Sequence, residues 1–310
     1  MKKALVTGGA GFIGSAIVKA LLDSGVEVVV LDNLQSGYRE NLERLPIGFI
    51  EADVRTAGAV ADAMQRCDTV FHLAASVGNT RSIEHPVDDS EINVIGTVRV
   101  LESARQHGVK KVVFSSSAGI FGELKTLPIR EDHSVEPDSP YGASKLGAEK
   151  LCLAYAKLYP MSCVCLRYFN VYGVNQRYDA YGNVIPIFAN RIFNGEPITI
   201  FGDGEQTRDF VNVRDVAQAN LKAATAANVS GAFNIGSGKR ISINTLARMM
   251  FDSAGIEPRI TYGSPRKGDV RDSLADISSA ARAFGYQPAV ELEHGLPEYL
   301  EWAGRTMVAR

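Results

Sequence analysis

The sequence predicts an α/β fold, a doubly wound parallel sheet joined to a smaller C-terminal α/β domain. Two observations carry this expectation. Through the first 168 residues, short continuous apolar and β-branched runs alternate with helical patterns. That is the signature of parallel strands buried on both faces. Beyond about Tyr168 the rhythm changes, and Gly, Asn and Pro become frequent, as in Gly182-Asn183-Val184-Ile185-Pro186 and Asn194-Gly195-Glu196-Pro197. The strands are expected at Ala4–Thr7, Glu27–Leu31, Gly48–Glu51, Thr69–Leu73, Lys111–Ser116 and Ser162–Tyr168. The intervening helices are expected at Phe12–Ser24, Thr56–Gln65, Asp88–Gln106 and Tyr141–Leu158. This divides the chain into residues 1–168 and 169–310. A helix over Asp209–Ala227 and a strand over Ala232–Gly236 return from the second part to the first.

Bulk properties exclude several classes. The 310 residues suffice for a large core, and 45% hydrophobic with 22% charged residues is ordinary for a globular chain. A net charge of −2 provides no basic footprint for nucleic acid. No apolar run approaches the roughly 20 residues that span a bilayer. The chain opens directly on a strand pattern, which leaves no room for a secretory signal. The cysteines at 67, 152, 163 and 165 and the five histidines lack metal-ligand spacing. A cytoplasmic, reduced and metal-free protein is expected.

The first strand runs into Thr7-Gly8-Gly9-Ala10-Gly11-Phe12-Ile13-Gly14. Glycines 8, 11 and 14 follow a strand and open a helix. Gly8 permits the tight turn, Gly11 lets backbone approach a pyrophosphate, and Gly14 allows close helix–sheet packing. A lone glycine triplet is weak evidence; this one has the required strand–turn–helix context. Asp32 follows the second strand, where a carboxylate can bond both hydroxyls of an adenosine ribose and repel a 2′-phosphate. The next residues, Asn33-Leu34-Gln35-Ser36-Gly37, bring no arginine before Arg39. NAD is favoured over NADP. Asp53 suits either the adenine amino group or a strand-end cap.

Tyr141 and Lys145 lie four residues apart at the start of a helix and so share one face. A cation beside a phenol lowers its pKa from about 10 and readies it to take a proton. Alone, the spacing is that of an ordinary surface pair.

Taken in order, the glycine loop, Asp32, His72-Leu73-Ala74-Ala75, Ser115-Ser116-Ser117 and Tyr141-x-x-x-Lys145 resemble the extended short-chain dehydrogenase/reductases, from residue 2 to about residue 300. The likeness is strongest to the nucleotide-sugar 4-epimerases acting on UDP-glucose and UDP-N-acetylglucosamine. It implies a Rossmann-type sheet with bound NAD and a C-terminal substrate-binding domain. It also implies Tyr141 as acid/base, Lys145 on the nicotinamide ribose and Ser117 on the sugar hydroxyl. Further cofactor contacts are implied at Phe12, Ile13, Val54, Leu73, Ala74, Ala75, Asn93, Ser115 and Tyr168. Substrate contacts are implied at Ser82, Asn170, Asn183, Val184, Thr199, Phe201, Arg208, Arg266, Asp269 and Ser273. Arg208 and Arg266 match the arginines that fork onto the diphosphate.

Three positions choose within that group. Ala118-Gly119 stands where sugar 4,6-dehydratases carry an Asp-Glu pair, so elimination is disfavoured. Asn170 matches UDP-hexose epimerases, where UDP-glucuronate epimerases tend to have Thr. Ser273 replaces a bulky Tyr and leaves room for an N-acetyl group at C2. Two departures stand out. Phe121 replaces a common Tyr, and Val77 a Lys near the cofactor, with Arg81 as a partial substitute. The expectation is a UDP-sugar 4-epimerase. The alternatives are a UDP-uronic acid 4-epimerase, another NAD-dependent nucleotide-sugar dehydratase or epimerase, or a non-catalytic NAD sensor. The last usually lacks the Tyr or Lys. The resemblance also implies a homodimer through a four-helix bundle formed by helices Asp88–Gln106 and Tyr141–Leu158, with Ala148, Leu151, Cys152 and Tyr155 on the contact face.

Overall fold

The computed structural model describes residues 1–179, 182–265 and 270–307. The N-terminal part runs β1 (Lys3–Thr7), α1 (Phe12–Asp23), β2 (Glu27–Asp32), β3 (Gly48–Glu51), α2 (Ala57–Met64), β4 (Thr69–His72), α3 (Asn79–Glu84), α4 (Pro86–Ser90), a π turn (Glu91–Ile95), α5 (Gly96–Gln106), β5 (Lys111–Ser117), α6 (Pro140–Leu158) and β6 (Ser162–Tyr168). Then follow β7 (Asn170–Tyr172), α7 (Val184–Phe193), β8 (Ile198–Phe201), β9 (Thr207–Arg208), β10 (Phe210–Asn212), α8 (Val213–Thr225), β11 (Gly231–Ile235), β12 (Ile241–Ser242), α9 (Ile243–Ala254), β13 (Ile260–Gly263), α10 (Ser278–Phe284) and α11 (Leu292–Met307).

Seven parallel strands form the central sheet in the order β11-β6-β5-β4-β1-β2-β3. The fold is the expected doubly wound one. Its inner strands read as apolar runs because both faces are covered. Val6, Val30, Phe71 and Val164 belong to a core packed under α1 and α8. Leu5, Leu31, Val112 and Cys163 belong to a second, packed under α2, α5 and α6. The strand order reverses between β1 and β4, and ligands of such sheets bind in the crevice beyond the strand ends at that switch point. A third core, including Phe188, Ile200, Leu246 and Tyr299, is built by α7, α9, α11 and the parallel β8–β13 pair. The cleft lies between this layer and the C-terminal end of the main sheet.

Several local features depart from expectation. The helix expected over Asp88–Gln106 is present in continuous αR backbone from Pro86, with a π turn inserted at Glu91–Ile95. The segment expected as helix from Asp209 begins with β10, and α8 starts only at Val213, capped by Asn212 Oδ1 on the Arg214 N–H. Ala148 and Cys152 face inward, wholly buried against the sheet. They offer no contact surface, because on that face α6 covers β5 and β6.

Candidate active site

The glycine turn forms a cradle at the switch point. Gly8 has φ +69°, and a β-carbon there would stand 2.7 Å from the Ala74 amide nitrogen, where β1 and β4 end side by side. A β-carbon on Gly14 would collide with the Gly8 carbonyl oxygen and stand 2.8 Å from Gly9 Cα. Gly11 caps α1 in extended conformation with no side chain on the helix N-terminus and no acid in its first turn. The amides there remain available for an anion. Phe12 and Ile13 are half-buried along this turn.

Asp32 closes β2. Its Oδ2 accepts from the Ala10 N–H at 2.9 Å and its Oδ1 from Leu34 at 2.8 Å. Burial pushes its carboxyl above the usual range, against those two amides. A side chain on Gly37 would touch Asp32 at 2.9 Å, so the glycine keeps the approach open. Asn33 and Ser36 are exposed beside it. Bare cradle, uncapped helix start and buried carboxylate together fit an adenine dinucleotide. Asp53 is otherwise engaged. Both its oxygens accept from Arg55, by Nε, Nη2 and the main-chain N–H, and Oδ2 also accepts from Asn33 Nδ2. An adenine amino group would have to displace one of these donors. Val54 is buried against Gly96.

Ser117 ends β5 and Tyr141 opens α6, one residue after Pro140 and two after the Ser139 cap. The Gly119 N–H donates to Ser117 Oγ at 3.0 Å. Ser117 Oγ and the Tyr141 ring both flank Gly119, and the serine hydroxyl pulls the phenol's pKa down. One helical turn on, Lys145 is buried with Nζ over the Phe114 ring, 4.4 Å from its centroid. Burial pulls Lys145 down to about 8. It also pushes Tyr141 up, while Ser117 pulls it down. In the protein alone, burial therefore sets the direction of both groups, and Ser117 is the neighbour that lowers Tyr141.

Beneath this pair runs a buried polar chain. The Leu73 and Ala74 N–H groups donate to Thr7 Oγ1, which bonds His72 Nδ1 at 2.7 Å. His72 Nε2 bonds Thr97 Oγ1 at 3.0 Å, and that hydroxyl donates to the Asn93 carbonyl. The direction of the last bond makes Nε2 the protonated ring nitrogen. Burial holds His72 neutral, down to about 3. Ala75 is half-buried just beyond β4. Asn93, carried by the π turn, is held by Ser76, Asp89 and Ser144. Ser115 and Tyr168 turn their hydroxyls to each other and to Asn220, inside the fold.

A cleft of about 500 Å³ adjoins Ser117 and Tyr141 across Ala118 and Gly119. A methyl on Gly119 would meet Ser117 Oγ at 3.3 Å and the Tyr141 ring at 3.7 Å. Asn170, Asn183, Val184, Thr199, Phe201, Arg208 and Ser273 all line this cleft. Asn183 caps α7 without a side-chain bond to it. Thr199 Oγ1 shares a bond with Thr261, and Arg208 Nη1 donates to the Thr207 carbonyl. Arg266 and Asp269 lie outside the described residues. Ser82 does not reach the cleft. It is wholly buried and donates to the Asn79 carbonyl, three residues back on its own short helix. Asn79 lines the cleft instead, with Asp138 and Ser139. Ser139-Pro140 is a legible helix start, while nothing in the sequence distinguished Asn79. Phe121 is packing, buried against His133 and Arg167, and Val77 is exposed.

The segment after β7 crosses the mouth of the cradle. Asn175 Nδ2 donates to Ser15 Oγ, Arg177 pairs with Glu40 at 2.7 Å and stacks on Tyr38, and Arg81 pairs with Asp179 at 3.0 Å.

With this geometry described, comparison with known proteins is direct. The model of the NAD dependent epimerase/dehydratase family matches residues 4–236. The chain belongs to the NAD-dependent epimerase/dehydratase family. A family member from Methanocaldococcus jannaschii, described as a putative UDP-glucose 4-epimerase, is 40% identical over 300 residues, covering 96% of this chain and 97% of the relative. Among solved members of the family, the UDP-glucose 4-epimerase of Thermotoga maritima with UDP-glucose superposes with a TM-score of 0.94 at 39% identity, covering 98% of this chain and 99% of that one. The UDP-N-acetylglucosamine 4-epimerase of Methanobrevibacter ruminantium, in complex with UDP-N-acetylmuramic acid, gives 0.93 at 36% identity and 97% of both chains. The expectation of an NAD-dependent UDP-sugar 4-epimerase agrees with these relatives.

Proposed function

We propose that this chain inverts C4 of a UDP-hexose, N-acetylated or not. The observation that carries the reading is the convergence of Ser117 and Tyr141 on cleft-lining Gly119, where a β-carbon would stand 3.3 Å from Ser117 Oγ and 3.7 Å from the Tyr141 ring, with Lys145 a turn further along α6. Gly8, Gly11 and Gly14 would hold the NAD pyrophosphate, Asp32 the adenosine ribose, and Lys145 the nicotinamide ribose. NAD, when bound, would supply a positive nicotinamide that takes the hydride from the sugar C4 and later returns it. Tyr141 takes the proton from the 4-hydroxyl as C4 is oxidised, and gives it back once the sugar has turned over. Ser117 fixes the sugar oxygen in reach of that phenol. The methyl of Ala118 and the bare Gly119 hold no proton to add or remove at C5 and C6, so elimination has no acid or base.

Arg208 and the uncapped start of α7 at Asn183 form the diphosphate side of the cleft. Thr199 and Phe201 form the wall for uracil. Ser273 is nearly buried at the cleft, where its small side chain leaves space beside C2.

Product analysis with UDP-glucose, UDP-N-acetylglucosamine and UDP-glucuronate tests this. A C4-inverted hexose is expected from the first two. A 4-keto-6-deoxy product, or turnover of the uronate alone, would refute it.

A homodimer suits the exposed groove of Pro86, Val87, Val94 and Ile95 on the α4–α5 side. Val87→Asp with Ile95→Asp should yield a monomer in sedimentation, and an unchanged mass would exclude this face. A reducing cytoplasm suits the four unpaired thiols.

A further inference from the structure

We propose that Asp89 is the buried counter-ion of Lys145 and positions its charge for proton transfer at Tyr141, an inference that rests on the function proposed above. Asp89 lies at the end of α4, with no exposed surface. Its Oδ2 accepts from Ser144 Oγ at 2.5 Å, and its Oδ1 from Asn93 Nδ2 at 3.1 Å. The amide of Asn93 cannot be reversed, because its oxygen accepts from the Ser76 N–H while its nitrogen donates to the Ser76 carbonyl. Ser144 in turn accepts from Asn93, and its single proton has two acceptors in reach, Asp89 at 2.5 Å and the Tyr141 carbonyl at 3.0 Å, of which Asp89 is the nearer. Both carboxylate oxygens are thus acceptors, the pattern of the ionised form.

A fully buried carboxylate with only two hydrogen-bond donors is stabilised by a nearby cation. Among the described residues, no arginine, lysine or histidine bonds Asp89 directly. Lys145, the residue after Ser144, is the cation with which it interacts electrostatically. The other groups around Lys145 do not take that role. From β4 comes His72, held neutral, from β5 the Phe114 ring, and from β6 the Cys165 thiol. From α6 itself come Cys152 and Glu149, and Glu149 is already forked by Arg167 at 2.7 and 3.0 Å.

Removing a negative charge beside two groups lowers the pKa of both. In Asp89→Asn, Lys145 gives up its proton at lower pH, and the phenol of Tyr141 also ionises at lower pH. Both limbs of the pH profile of kcat therefore move down, by about one unit. Loss of packing lowers the profile without sliding it. Ser144→Ala keeps the charge and cuts one bond, so its limbs should stay where the native ones are. The profile is to be recorded with UDP-glucose on full-length protein carrying its NAD. Unmoved limbs in Asp89→Asn, or equal movement in Ser144→Ala, would overturn the assignment.

A second measurement needs no substrate. Thermal midpoints of Asp89→Asn, Lys145→Met and the double variant form a cycle. Counter-ions predict that the double variant melts higher than the summed single effects, and that Lys145→Met restores folding if Asp89→Asn alone is unfolded. Strict additivity would overturn the proposal whatever sugar the chain uses. Absence of any UDP-sugar turnover would sink the functional reading and leave this cycle to decide on Asp89.

Discussion

Glu149 accepts both forks of Arg167, at 2.7 and 3.0 Å, and both side chains are buried. Ser116 donates to the same carboxylate at 2.7 Å. Glu149 is one turn beyond Lys145 on α6, and Ser116 directly precedes Ser117 on β5. The pair therefore sets the helix of Tyr141 and Lys145 in register with the strand of Ser117. Glu149→Ala should lower unfolding free energy by about 3–5 kcal/mol, since Arg167 is left buried and unpaired. Denaturant titration reads this. Replacing both partners with apolar residues should cost much less, and equal losses in the two variants would remove the ion pair from the account.

Tyr141→Phe removes one oxygen from a site otherwise held by Ser117, Lys145 and the glycine cradle. Turnover should fall by at least about 100-fold, the scale of general acid–base catalysis. The NAD content of the purified protein, read by absorbance after release, should stay as in the native chain. Native turnover in this variant would take Tyr141 out of the mechanism.

His72 is neutral and buried, with a folded pKa of about 3 against about 6.5 unfolded. The unfolded chain therefore binds the extra proton between those values. The group's contribution is complete above pH 6.5 and is lost as pH falls toward 3. Its slope approaches about 1.4 kcal/mol per pH unit inside that window. His72→Asn should flatten stability against pH there, and an unchanged slope would show that other groups govern acid unfolding.

Two glycines in helices should respond oppositely to alanine. Gly14→Ala drives a β-carbon into the Gly8 carbonyl and should abolish NAD retention. Gly58 lies in α2 with open space where its β-carbon would stand. Gly58→Ala should therefore stabilise by about 0.5–1 kcal/mol. Thermal melts of both variants, with cofactor content, check the contrast.

Ser273→Tyr should narrow the cleft beside C2. Turnover of UDP-N-acetylglucosamine should drop about tenfold or more relative to UDP-glucose, a loss of at least about 1.4 kcal/mol. A preserved ratio would move specificity to another wall.

The central sheet was legible because strands buried on both faces carry continuous apolar stretches, such as Val112-Val113-Phe114 in β5 and Cys163-Val164-Cys165-Leu166 in β6. The cradle was legible because three glycines between a strand and a helix have few other uses. What escaped was set by geometry that leaves no trace in spacing. The π turn adds a residue to one helical repeat without altering the apolar pattern, and it aims Asn93 at Ser76, Asp89 and Ser144. Ser82 looked like a cleft residue, but a serine can satisfy itself on a carbonyl three residues back, and this one does. Ala148, Leu151, Cys152 and Tyr155 do share one helical face, but the sheet claims its centre: Ala148 and Cys152 are buried, with Leu151 and Tyr155 packed against the same core.

The segment 175–179 is tied to α1 through Ser15, to the turn after β2 through Tyr38 and Glu40, and to α3 through Arg81. A dinucleotide lying in the glycine cradle is thereby fenced in on its open side. A dehydrogenase must trade its spent cofactor with the cell after every turnover; an enzyme that returns the electrons it borrows has no such need. An NAD held behind this fence would stay with one molecule from turnover to turnover, and the expected consequence is a rate independent of the NAD-to-NADH ratio of its surroundings.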